Sequence, residues 1–267
     1  MTPAQAGHHA AASEIPATLN VVSDLPATSS TRADFTRPGP HAEGPQTDAA
    51  SAVDRAPTRS LVTTRSSAAA RLTLAVVVGL AAGALTEWSV PHLPFSLEPL
   101  GNSAAPWVLV TFAVALTARR MGESLTLAVI TLLALVLSFY VVEAGRGWGV
   151  SRHQVALWSV ASVAIGPLVG VAAGWLRHAG RTQAALGAGV LGGLLAGEAI
   201  WGLTGLRFSS PAEYWHVQLV LGVGLAVGLT LWRSRRHLRG SAPALAVSLA
   251  AGAVVGLATL AAYHVSP

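Results

Sequence analysis

The stretch GVLGGLLAGEAIWG, residues 189–202, decides the fold class of this chain. It is apolar at nearly every position, and its one acid is Glu198. Strands of a membrane barrel alternate apolar and polar residues, which this stretch does not do. A helix satisfies its own backbone hydrogen bonds, as hydrocarbon surroundings require. The stretch therefore predicts a helix that crosses a membrane.

The composition of the whole chain supports that prediction. Its 267 residues are 52% hydrophobic and only 11% charged, whereas a soluble domain carries about 25% charged residues. The sequence contains no cysteine and no lysine. The first absence excludes disulfides and thiolate chemistry. The second excludes any Schiff base, and with it a seven-helix retinal protein.

Outward from residues 189–202, apolar runs of spanning length recur along the chain. A spanning helix needs roughly 17 to 25 residues. The predicted spans are Leu72–Val90, Ala104–Ala118, Leu125–Val142, Val155–Leu176, Thr182–Leu203, Tyr214–Trp232 and Ala242–Tyr263. The expected fold is an all-α transmembrane helix bundle (residues 71–267) of seven spans, or six if the short Ala104–Ala118 does not cross. Residues 1–70, with seven prolines and one aromatic residue, are expected to form a disordered cytoplasmic tail.

Arginine placement predicts the orientation of the bundle. Positive charge marks cytoplasmic connections. With seven spans, alternate sides carry twelve arginines against three, and the three are Arg146, Arg152 and Arg207. We therefore expect a multi-pass protein of the cell membrane with a cytoplasmic N-terminus and an external C-terminus. The arginine clusters are interpreted as topology signals, so no nucleic-acid partner is expected.

Glycines recur at four-residue spacing within the spans, as in Gly79/Gly83 and Gly224/Gly228. Such spacing places small residues on one helix stripe, where two helix backbones approach closely. The stripes predicted to serve helix packing are Gly166, Gly170 and Gly174 in the fourth span and Gly189, Gly193 and Gly197 in the fifth. Packing within the chain is the expected role. A homo-oligomer through one of the stripes is the alternative, and Pro167 predicts a kink in the fourth span.

Ionisable residues within spans are the candidate functional residues, because hydrocarbon disfavours them. The predicted intramembrane polar site comprises Glu198, Glu87, Glu143, Trp201 and Asn102. All five fall toward the predicted external side. Five acids and four histidines are expected there: Glu87, Glu98, Glu143, Glu198, Glu213, His92, His153, His216 and His264. A vestibule lined by carboxylates and imidazoles would bind a cation, a metal or an amine-bearing solute, or relay protons. The alternative is that depletion of arginine alone makes that side acidic, and that the tryptophans are interfacial belts. Asn102 or Ser103 is also a candidate helix cap.

Four segments resemble a family of uncharacterised multi-pass membrane proteins of high-GC bacteria, a domain of unknown function. They are GNSAAPWVLV (residues 101–110), SFY (residues 138–140), GPLVGVAAGWLR (residues 166–177) and LLAGEAIWG (residues 194–202). The resemblance covers residues 72–263. It departs at Ser138, Phe139 and Tyr140, where a glycine and paired tyrosines are expected. It implies an integral membrane protein and no particular activity.

Two functions follow as hypotheses. The first is solute transport or solute binding, based on Glu198, Glu87, the glycine stripes and Pro167. The alternative is a non-catalytic scaffold or accessory subunit. The sequence has no catalytic motif and no HxxxH or HExxH metal motif, so we expect no enzyme, no metal and no cofactor. The expected partners are the lipid bilayer and a small solute or cation.

Overall fold

The computed structural model describes residues 59–206, 209–235 and 241–265. Most of the predicted tail, residues 1–58, lies outside these ranges, as do Arg207, Arg236 and Arg239. The described residues form α-helices and two short 3-10 segments, Val90–His92 and Phe95–Gly101. The helices are α1 (Arg59–Ser89), α2 (Ala104–Ala115), α3 (Met121–Gly145), α4 (Arg152–His178), α5 (Arg181–Gly205), α6 (Ala212–Ser234) and α7 (Ser241–Val265). The predicted all-α fold is confirmed.

Six of these helices are long and apolar enough to cross a membrane, judged by length and composition. The exception is α2, whose 12 residues span about 18 Å at helical rise. This helix lies within Ala104–Ala118, the short segment for which the sequence predicts either a crossing or none. The first helix begins at Arg59, inside the range 1–70 that was assigned to the tail.

The contacts between helices fix the direction of each one. Gly79 of α1 lies against Thr131 of α3, and Gly83 lies against Ser138 further along both helices, so α1 and α3 run parallel. The chain between them must therefore return to the end where α1 started. The short helix α2 makes that return together with its flanking segments.

Successive helices after α3 run in alternating directions. Gly166 lies against Val129 and Gly174 against Met121, so α4 runs antiparallel to α3. In contrast, α5 and α7 run parallel, because Gly197 packs on Gly256 further along both helices than Gly189 packs on Ser248. We call the end where α1, α3, α5 and α7 begin the arginine end, and the other end the opposite end.

Glycine stripes account for the closest helix contacts. A Cβ added at Gly170 would lie 2.6 Å from the Cα of Leu125, and one added at Gly197 would lie 2.5 Å from the carbonyl oxygen of Gly256. Both glycines thus allow backbone approach between helices of the same chain. The helix α4 is continuous through Pro167.

The tryptophans do not all behave as an interfacial belt. Trp88, Trp148 and Trp232 are about half exposed on the bundle surface, as a belt requires. Trp107 and Trp215, however, are 8% and 3% exposed, so the belt interpretation is wrong for these two. Trp215 packs in the space left by Gly202, a pairing between α5 and α6 that the spacing of residues within one helix cannot reveal.

Candidate functional site

Glu198 lies in the most enclosed helix of the bundle. In the most apolar stretch of α5, 78% of the residues are buried inside the bundle, a larger share than in any other described helix that is long enough to cross a membrane. The side chain of Glu198 is 3% exposed. It lies seven residues before the end of α5, about 10 Å from the opposite end at helical rise. A buried carboxylate is costly unless hydrogen bonds compensate it.

Five donors surround the Glu198 carboxylate. The backbone N–H of Ala104 donates to Oε1 at 2.7 Å, and the hydroxyl of Tyr263 donates to the same oxygen at 3.1 Å. The backbone N–H of Ala105 and the Nε2 of Gln218 donate to Oε2 at 3.0 and 2.9 Å. The hydroxyl of Ser103 lies 3.1 Å from Oε2 and also 3.1 Å from Oε1 of Gln218, and its single proton is donated to one of these two oxygens. Each oxygen therefore has its acceptor capacity filled.

The carboxylate occupies this position because α2 begins there. The first N–H groups of a helix have no partner within the helix and carry partial positive charge. Ser103 is the N-cap of α2, and its Oγ accepts from the N–H of Ala105 at 3.2 Å, which confirms the cap predicted for Ser103. Glu198, which belongs to α5, accepts from the N–H groups of Ala104 and Ala105. A carboxylate also complements the partial positive charge at the start of α2.

At the C-terminal end of α2, basic side chains contact the free carbonyl oxygens. Arg177 donates to the carbonyl oxygen of Leu116, and Nε2 of His178 lies 3.0 Å from the carbonyl oxygen of Ala118. Both side chains belong to the last turn of α4. Basic groups at a helix C-terminus satisfy its free carbonyls and its dipole. A short helix is thus fixed at both ends by side chains of its neighbours.

A cavity of about 420 Å³ lies on one side of Glu198. Residues of α2, α4, α5 and α7 line it, and Glu198, Thr259 and Tyr263 are its polar residues. Its volume falls in the range of about 300–1,000 Å³ that is typical of small-molecule sites. The cavity places a buried carboxylate in the wall of an otherwise apolar space.

A smaller, more polar pocket of about 180 Å³ lies nearby, and its lining includes Glu98, Asn102, Trp201 and Ser210. Trp201 stacks on Tyr263 with ring centroids 4.5 Å apart. Since Trp201 lines the smaller pocket and Tyr263 lines the larger cavity, this aromatic pair stands between the two spaces.

Glu87 belongs to a different place in the bundle. Its side chain is 3% exposed, and its Oε1 lies 3.4 Å from Nη1 of Arg146. The same Nη1 donates to the backbone carbonyl of Glu87 at 2.8 Å. The ion pair explains why Arg146 lies on the side that is otherwise poor in arginine. Glu143 interacts electrostatically with Glu87, and its Oε2 is buried without a hydrogen-bond partner among the described residues.

The five predicted site residues therefore separate into two groups. Glu198, Trp201 and Asn102 line the cavity or the smaller pocket, whereas Glu87 pairs with Arg146 and lies within electrostatic range of Glu143. Within the described ranges, no three residues of the types His, Cys, Asp or Glu are grouped as a metal ion would require.

Sequence reasoning missed three partners of Glu198. Gln218 is a lone amide in the apolar run of α6, and this isolation was the available signal. Ser103 was identified only as a cap. Tyr263 lies at the end of the last predicted span, where an aromatic residue looks like an interfacial anchor. Nothing in one sequence shows that these residues converge.

Fold and site together define an all-α bundle of helices apolar enough to cross a membrane, built around one buried, fully hydrogen-bonded carboxylate. The chain belongs to the DUF6518 family, a family of unknown function, whose model matches residues 62–264. The match includes every described helix except the first residues of α1 and the last of α7. No curated protein and no solved structure matches the chain.

Proposed function

We propose that this chain is a multi-pass protein of the cell membrane that binds a small cationic solute at Glu198, as a transporter or solute-capture subunit does. The carrying observation is a buried carboxylate in the wall of a cavity of about 420 Å³ lined by α2, α4, α5 and α7. An ionisable residue at that depth is a functional candidate, and negative charge favours a cation or an amine.

The orientation belongs to the same proposal. Arg71, Arg119, Arg177, Arg181 and Arg233 lie at the arginine end, so that end is assigned to the cytoplasm. The cavity and Glu198 then lie nearer the external face. The N-terminus is cytoplasmic and the C-terminus external.

A solute can bind the Glu198 carboxylate only if one of the present hydrogen-bond donors moves away, because each oxygen already accepts its full number of hydrogen bonds. Ala104 and Ala105 donate from the backbone at the start of α2, and Gln218 is held by a second bond to the carbonyl oxygen of Leu195 at 3.1 Å. Of the three side-chain donors, Tyr263 lines the cavity and donates through a rotatable hydroxyl, whereas Ser103 and Gln218 do not line it. We infer that an arriving cation replaces Tyr263 on Oε1.

The test is a thermal-stability screen of the detergent-purified protein against cationic, neutral and anionic solutes. We expect at least one cationic solute to raise the unfolding temperature, and Glu198→Gln to abolish that shift. Glu87→Gln, which alters a buried carboxylate away from the cavity, is the matched control and keeps the shift. Absence of any cation-dependent shift, or its survival in Glu198→Gln, contradicts the proposal.

A second pair of variants keeps the test decisive if Glu198→Gln does not fold. Ala161 of α4 lines the cavity, whereas Ala156 lies exposed on the same helix and outside the cavity lining. We expect Ala161→Leu to reduce solute binding by filling part of the space, and Ala156→Leu to leave it unchanged. Equal effects would contradict a site in this cavity.

A scaffold function is the second candidate, supported by a different helix face. Positions Gly224 and Gly228 of α6 have no described atom within 4 Å of an added Cβ, unlike the stripes in α4 and α5. Small residues in open space permit close approach by a second helix. If α6 forms a homo-oligomer contact there, Gly228→Leu abolishes crosslinking of copies through α6, whereas unchanged crosslinking rejects that contact.

A further inference from the structure

We propose that the solute is a single-chain cationic amphiphile, which enters the larger cavity from the bilayer between α4 and α7. This inference rests on the proposed binding site at Glu198 and names its ligand class. It follows from how polarity, exposure and aromatic rings are distributed over the cavity.

The polar groups of the cavity are confined to one level of its wall. Gly197 packs on Gly256 and Thr259, so Glu198 lies level with that part of α7, between Val254 and Tyr263. Ile165, Leu168 and Val254 line the part of the cavity nearer the arginine end. Thr259 directs its hydroxyl to the carbonyl oxygen of Val255 in its own helix, at 2.9 Å. Nearly all of the remaining lining is therefore apolar. A ligand that fills this space has one polar end and one apolar chain.

The cavity is elongated rather than round. On α7 its lining runs from Val254 to Tyr263, and on α4 it runs from Leu157 to Leu168. These intervals correspond to about 14 and 16 Å at helical rise. From the level of Glu198 the apolar lining continues toward the arginine end along α4, past Ile165 to Leu168. A hydrocarbon chain fits along this part, with its head group beside Glu198.

The mouth of the cavity opens on the outer surface of the bundle. Two lining residues, Leu157 of α4 and Val254 of α7, are 43% and 69% exposed. In a bundle that crosses a membrane, apolar surface at that depth contacts lipid chains. The aromatic pair Trp201–Tyr263 stands between the cavity and the smaller pocket. Entry from the bilayer thus needs no displacement of that pair.

The head group is assigned a positive charge for two reasons. Glu198 is the acidic residue of the lining, and a carboxylate pairs with a cation. The rings of Tyr263 and Trp158 also line the cavity, and aromatic faces attract cations. A fatty acid would instead bring a second carboxylate toward Glu198, and like charges disfavour that approach.

The test compares dodecylamine, butylamine and dodecanoate on the purified full chain. We expect dodecylamine to bind about tenfold more tightly than butylamine, since its chain fills apolar space, and dodecanoate not to bind. Ala258→Leu narrows the apolar space on α7 and should weaken dodecylamine binding by more than it weakens butylamine binding, so that the tenfold difference falls. Its matched control is Ala253→Leu, exposed on the same helix and outside the cavity lining.

The position of the bound amphiphile is measured separately by photolabelling, with dodecylamine that carries a diazirine on its chain. Labelling should map to cavity residues of α4 and α7, whether or not Ala258→Leu folds. The inference is overturned if labelling maps elsewhere, if dodecylamine binds no more tightly than butylamine, or if dodecanoate binds equally well. Butylamine binding that depends on Glu198 would still uphold the proposed function in those cases. If neither amine binds, both proposals fail.

Discussion

At the scale of single residues, Glu198 combines a structural role with the proposed binding role. Two backbone N–H groups at the start of α2 donate to it, and these bonds fix a helix. The hydroxyl of Tyr263 donates from the cavity side and can be replaced by a ligand. One carboxylate thus holds α2 in place and offers a negative charge to the cavity.

The first prediction concerns Glu198→Gln. An amide has one acceptor oxygen and one donor NH2, so one backbone N–H of α2 would face another donor. We expect a loss of about 1–3 kcal/mol in stability, the usual cost of an unsatisfied buried group. Unfolding in detergent measures this against Glu213→Gln, an exposed acid in the first turn of α6. Equal stability of the two variants would refute the anchoring role.

The second prediction concerns the Glu87–Arg146 pair. Arg146→Met leaves a buried carboxylate without its cationic partner, which is more damaging than losing both charges. We therefore expect the double variant Glu87→Gln/Arg146→Met to unfold at a higher temperature than Arg146→Met alone. Arg152→Met, at an exposed position near the same end, serves as the control. A double variant less stable than Arg146→Met would show that the pair is not coupled in this way.

At the scale of elements, the glycines of α5 determine which helices meet. Gly189, Gly193 and Gly197 all contact α7, while Gly192 and Gly202 contact α6. The sequence identified the first three as one stripe with a packing role. It could not name the partner helix, since a four-residue spacing defines a face but not what covers it.

The third prediction follows from that packing. A Cβ at Gly197 would lie 2.5 Å from the carbonyl oxygen of Gly256, so Gly197→Ala must separate α5 from α7. We expect a clear fall in the unfolding temperature. The same substitution at Gly224, which meets no described atom within 4 Å, should change stability by less than about 1 kcal/mol. Similar effects at both positions would contradict the assigned contact.

The helix α2 shows where prediction from the sequence ends. Its start followed from the candidate caps Asn102 and Ser103, of which the structure shows Ser103 as the N-cap. Its shortness was also visible, because the apolar run is brief. The carboxylate and the two basic side chains that hold its ends come from α5 and α4, about 60 to 95 residues away in sequence. Contacts at such separation leave no local pattern.

At the scale of the whole molecule, the parallel α1–α3 pair requires α2 and its flanking segments to return the chain to the arginine end. Six helices are by themselves long and apolar enough to cross a membrane, and with this return segment we expect seven crossings. The positions of the six long helices followed from hydropathy, because each presents a long apolar run. From the sequence, Glu198, Trp201 and Asn102 were predicted to lie toward the same side of the membrane, but not to line neighbouring spaces. Their separation from Glu87 and Glu143 depends on helix arrangement, which composition does not encode.

The fourth prediction tests that count and the proposed orientation. With seven crossings and a cytoplasmic N-terminus, a reporter fused after α7 should give an external signal, and one fused after α6 a cytoplasmic signal. Alkaline phosphatase and green fluorescent protein fusions at both positions provide the measurement. A cytoplasmic signal after α7 would mean that α2 does not return the chain across the membrane.

The fifth prediction tests the central claim, that a cation binds by replacing Tyr263 on Glu198. Tyr263→Phe keeps the ring that stacks on Trp201 but removes the hydroxyl that donates to Oε1. The measurement is the equilibrium dissociation constant of dodecylamine for the wild-type protein and for Tyr263→Phe. Since the freed oxygen no longer has to exchange donors, we expect Tyr263→Phe to bind more tightly, by about tenfold for a hydrogen bond worth about 1.5 kcal/mol. Unchanged or weaker binding would contradict the claim.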